Sequence, residues 1–151
     1  MATFERVPDT ATVFRLPKEG DQFPPGEDKP TELAFRPNSG DEREAMELGR
    51  PVAISVWDDS RTTEEQARAA RASTAVLRRC DLPVAEIHKL EGLRTLRMEI
   101  ECPGGHGHCG IEGLHTPKGM NPLEKARVKA LRVSLVDIAV RAAKVKKMDC
   151  S

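Results

Sequence analysis

The feature that most limits what this chain can become lies between residues 121 and 147. Asn121 offers a side-chain cap, Pro122 falls at the first helical position, where a missing N–H costs nothing, and Glu124 sits in the first turn. Val128, Leu131, Leu135, Ile138, Ala142 and Val145 then recur at alternating spacings of three and four, which predicts a helix with one continuous apolar face. Val133, Val136 and Val140 widen that face, so the middle of the helix is expected to be buried on more than one side. Such a helix has to find a sheet or other helices to cover it.

The rest of the chain offers mainly a sheet. "PVAISVW" (51 to 57) places Val52, Ile54 and Val56 on one face and Ala53, Ser55 and Trp57 on the other, a pattern for a strand inside a sheet. "LRTLRMEIEC" (93 to 102) alternates as a half-buried strand with Cys102 inward, and "IEGLH" reads as its antiparallel return across the glycine-rich "PGGHGHCG". "ATVFRL" (11 to 16), "TELAFRP" (31 to 37) and "LPVAEIHKL" (82 to 90) are further short strands or connectors. "DEREAMEL" suggests a helical turn ended by Gly49. A second main helix is predicted over 62–79, with Thr62 and Glu65 as a capping box. Five prolines among the first thirty residues oppose regular structure there. These elements predict an α+β fold: a Pro-rich, partly irregular arm over 1–30, then a single domain over 31–151, in which a small, mostly antiparallel sheet packs against helices at about 62–79 and 121–147.

At 151 residues the chain suits one compact domain. With no Tyr and one Trp, aliphatic side chains must fill the core. Net charge is zero, yet residues 1–75 carry ten Lys/Arg against fifteen Asp/Glu, and residues 76–151 carry the reverse excess. Lys125, Lys129 and Arg132 recur at helical spacing, but the overall balance and the scarcity of aromatic stacking platforms argue against nucleic acid as a partner. No apolar run approaches the ~20 residues a membrane span needs, and "MATFERVPDT" lacks the apolar core of a secretory leader. A cytoplasmic setting is expected, where the four cysteines serve as buried apolar groups, ligands or reactive thiols rather than disulfides.

"ECPGGHGHCGIEGLH" (101 to 115) is the segment richest in chemistry. Thiolate and imidazole are the donors that zinc and other transition metals of similar softness prefer. His106, His108 and Cys109 are candidate metal ligands, with Cys102 and His115 as additional ones, and Cys80 or His88 as distant completions. The spacing C-x3-H-x-H-C-x5-H departs from zinc-finger patterns, and strand alternation sends His108 and Cys109 to opposite sides. Cys109 is also a candidate nucleophile, with His115 as base and Glu112 as a general base beside a metal. A glycine-rich hairpin loop around a buried cysteine explains the same residues without chemistry. No nucleotide-binding or hydrolase motif accompanies them.

The expected function is therefore that of a small intracellular binding or accessory protein, associating with a protein partner or with itself. The alternative is a metal-dependent, hydrolase-like enzyme using residues 102–115.

Overall fold

The computed structural model describes residues 5–71, 73–97 and 107–149. They form an α+β domain around a five-stranded antiparallel sheet. In chain order the elements are β1 (Thr12–Arg15), a 3-10 turn (Glu32–Phe35), α1 (Ser39–Leu48), β2 (Ala53–Asp58), α2 (Glu64–Arg71), β3 (Cys80–Pro83), α3 (Val84–His88), β4 (Arg94–Arg97), β5 (His108–Glu112) and α4 (Pro122–Asp149). Across the sheet the order is β3-β1-β2-β5-β4.

β2 lies in the middle because it can be apolar on both faces. Ile54 and Val56 pair with Ile111 and Cys109 and enter the main core. That core also takes Val13 and Leu82 from the sheet, Phe35 from the 3-10 turn, Val84 and Ile87 from α3, and Leu135, Ile138 and Ala139 from α4. On the opposite face Phe14 and Trp57 stack with ring centroids 6.0 Å apart, beneath Ala67 of α2 and with Leu16 and Leu77. The β4–β5 pair is antiparallel, as expected, but β5 begins earlier than "IEGLH", taking His108–Gly110 from the expected loop. Its register sets Arg94 opposite Glu112 and Thr95, not Leu96, opposite the core residue Ile111.

Several boundaries differ from the sequence expectation. α1 is a full helix rather than a turn, because Asn38 and Asp41 form a reciprocal capping box at 2.8 Å in each direction. Gly49 then ends it in the left-handed conformation, at φ 64°. The helix expected over 62–79 stops at Arg71. Its cap is Thr63 with Gln66, one residue later than Thr62 with Glu65. Beyond it, the Ser73 hydroxyl accepts from the Ala75 amide, a local bond that competes with helix. The chain then runs extended beside residues 17–19, where the Arg78 amide donates to the Pro17 carbonyl. "TELAFRP" makes the 3-10 turn instead of a strand, and "LPVAEIHKL" splits into the end of β3 and the single helical turn α3.

The first thirty residues contribute to the body directly, since β1 is the second strand of the sheet. Arg15 on this strand is buried and donates to the carbonyls of Ala34 (3.0 Å) and Ser55 (2.8 Å). Burial lowers its pKa to about 10, which the nearby Asp41 carboxylate opposes.

The β4 edge is closed by a histidine. The Thr95 amide donates to Nε2 of His88 at 3.2 Å, which places the ring proton on Nδ1, and Nδ1 donates to Asp9 Oδ1 at 2.7 Å. The Val7 amide donates to the Thr95 carbonyl at 2.8 Å, so both outward groups of Thr95 are occupied. The hydrogen bond from His88 holds the Asp9 carboxyl below its ordinary value of 3.8 despite some desolvation. A carboxylate with a depressed folded pKa contributes stability that is complete above its unfolded pKa and lost as pH falls through the folded one. Asp9→Asn should therefore lower the urea midpoint at neutral pH and flatten the loss of stability below about pH 4. An unchanged acid limb in urea titrations of the variant would contradict the clamp.

Candidate functional site

The residues singled out between 101 and 115 are distributed by strand geometry. Cys102 and His106 lie outside the described residues. His108 and Cys109 are consecutive in β5, so their side chains take opposite faces of the sheet. His108 is buried beside Trp57, with ring centroids 5.8 Å apart, and its Nε2 lies 3.0 Å from Ser55 Oγ. Phe14, Trp57 and His108 thus form a row across three neighbouring strands. Cys109 enters the main core, where its Sγ donates to the Gly107 carbonyl at 3.4 Å.

Glu112 also belongs to a buried arrangement. Its carboxylate is held between two guanidiniums, those of Arg50 and Arg94, the latter at 2.7 Å. Two such partners cover its oxygens, an arrangement suited to joining α1's exit loop to the sheet. His115 stands apart, its Nε2 3.2 Å from Glu42 Oε1 of α1. The two distant candidates are committed elsewhere as well. Cys80 is in the core, where burial, with the adjacent Asp81, pushes its thiol up to about 12, and His88 serves the β4 edge. Among the described residues, no group of three or more His, Cys, Asp or Glu side chains is gathered as a metal centre would require.

A different region gathers surface features that the sequence reading passed over. Between the C-terminal half of α4 and the β3 edge lies a groove of about 530 Å³. Pro83, Ile138, Ala142 and Val145 supply apolar wall, while Asp59, Asp81 and Glu86 face Arg141 and Lys146. These charges largely answer one another. Arg79 reaches both Asp59 and Asp81 at 2.8 Å while its guanidinium lies over the Phe14 ring, and Lys146 stands 3.5 Å from Asp81. Arg79 and Asp81 become visible as neighbours only once β3 is placed beside β1.

The long helix is the second such feature. Of the side chains expected to face inward, Val128, Leu135 and Ile138 are buried, and Ala139, outside the expected stripe, joins them. The wider burial expected of Val133 does not occur, since it is 46% exposed, and Val145 is 59% exposed. Residues 121–127 and 143–147 are exposed throughout, with Leu123 at 81%. Arg132 is the exception among the basic residues, buried and 2.9 Å from Glu32 of the 3-10 turn.

No family model, curated protein or solved structure matches this chain.

The placement of the thiols gives a direct test. In a Cys102→Ser/Cys150→Ser background, Cys80 and Cys109 should resist iodoacetamide in the native state and react at the rate of unfolding. Immediate alkylation of Cys109, located by mass spectrometry, would contradict its core position and restore it as a reactive group.

Proposed function

We propose that this chain works as a binding or accessory protein, by associating with another protein along the outward face of α4. The observation that carries the reading is the helix itself. At 28 residues it is ~42 Å long, yet only its middle turns are buried against the sheet. Helical turns with no tertiary cover contribute little to folding, because helix stability in proteins comes mainly from packing of an apolar face. On the outward face Leu123 and Val133 nonetheless put apolar surface into solvent. A partner that covers those side chains gives the exposed turns a use.

The remaining features accord with this reading. Among the described residues no helix is long and apolar enough to cross a membrane. A cytoplasmic setting is part of the same proposal, and the free thiols of Cys80 and Cys109 suit a reducing compartment. The metal-dependent alternative would need a centre assembled with residues outside those described, since His108 and Cys109 face apart.

A photo-crosslinking amino acid placed at Val133, in the chain expressed in its native cells, tests the association. A protein adduct is expected from position 133 and not from Asp28 in the proline-rich loop. Absence of adducts from 123, 133 and 140 alike would overturn the reading.

A further inference from the structure

We infer that the partner presents an acidic amphipathic helix, seated lengthwise on the outward face of α4. This rests on the association proposed above and specifies what associates. Leu123, Ala126, Ala130, Val133, Asp137, Val140 and Lys144 succeed one another at spacings of three and four. That is the a/d spacing of a helix-pairing seam over about three heptads, apolar at five positions and charged at Asp137 and, at its end, Lys144. All but Val140, which is half-buried, are exposed. The inward residues Val128, Leu135, Ile138 and Ala139 occupy the other side of the same helix and are already covered. α4 therefore carries two apolar faces, one used by the sheet and one open.

The charges beside the open seam select the occupant. Flanking positions decide partner choice in paired helices because their side chains reach across the seam. Here the charged flanking residues are Arg127, Lys129 and Arg141, all exposed and all cationic. Glu124 is near enough to contact Arg127 at 3.0 Å, but it lies off the seam. Glu86 lies 3.9 Å from Arg141, whose side chain remains 66% exposed. A helix with glutamate or aspartate along both flanks would complement this edge. Asp137, inside the seam, calls for a single basic residue in the facing position and so fixes register.

Two other occupants fit less well on the same grounds. A second copy paired antiparallel over the full stripe would bring Arg127 beside Arg141 of the other copy, and parallel pairing would set the two Asp137 carboxylates together. An anionic lipid surface would meet Asp137 in the middle of the embedded face, and it requires a broader apolar arc than a heptad seam provides.

The probe is a synthetic peptide helix with leucine at its seam positions, one seam lysine placed to meet Asp137, and glutamate on both flanks. Its counterpart carries lysine in place of every glutamate. Titrated against the full chain by fluorescence anisotropy, the acidic peptide should bind saturably and weaken at least about tenfold at high salt, while the basic peptide should not bind. Val133→Glu should weaken the acidic peptide at least about tenfold. Arg127→Glu/Arg141→Glu, at exposed positions that leave the core intact, should reverse the preference toward the basic peptide. Indifference to peptide charge, no binding of either peptide, binding only to phosphatidylserine vesicles, or self-association in sedimentation would each overturn the inference. If crosslinks form at position 133 while the acidic peptide fails, the class of partner is wrong and the association stands; if both fail, so does the association.

Discussion

The contact on which this structure depends is the inner face of α4 against the sheet. Leu135, Ile138 and Ala139 share one core with Val13, Ile54, Val56 and Leu82, and among the described residues no other helix approaches its length. Full burial of each such side chain contributes ~1.5 to 3 kcal/mol relative to exposure, so this layer outweighs any surface ion pair. Its placement also decides the rest. β3, at one edge of the sheet, has α4 alongside and therefore forms a wall of the groove instead of an open template for pairing. The Arg132–Glu32 contact ties the same helix to the 3-10 turn.

What the sequence revealed of the fold follows from the range of the forces involved. The start of α4 was legible because Asn121 and Pro122 act within a single turn, and the Asn121 side chain does accept from the Leu123 amide at 2.8 Å. β2 and the antiparallel pairing of β4 with β5 were legible because alternation is local too, whereas the bounds of β5 were not. The early end of α2 was not, because it depends on Arg78 finding the Pro17 carbonyl some sixty residues away. The Asn38–Asp41 box was a local signal, present in the sequence and read only as a turn. The exposure of Val133 was hidden for a deeper reason. Periodicity shows that a helix has apolar faces, but not how many neighbours are available to cover them.

The same distinction explains the Cys/His-rich segment. Five potential ligands within fifteen residues suggest convergence, yet a strand separates consecutive side chains, and β5 sends His108 toward Trp57 and Cys109 into the core. Glu112 found two arginines, Arg50 and Arg94, neither of which is near it in sequence. Density of reactive residue types along the chain is thus a poor guide to chemistry when the local structure is extended. The groove and the open helix face arise the opposite way, from residues of unremarkable type brought together by α4.

Hydrogen exchange along α4 tests this account most directly, because the helix is held to be anchored only through its middle. Amides within the buried turns, from about Val128 to Ala142, should exchange only with global unfolding, while those of residues 124–127 and 143–147 should exchange orders of magnitude faster by local fraying. Uniform protection from one end of the helix to the other in the isolated chain would contradict it, since the ends would then be covered by contacts not found among the described residues.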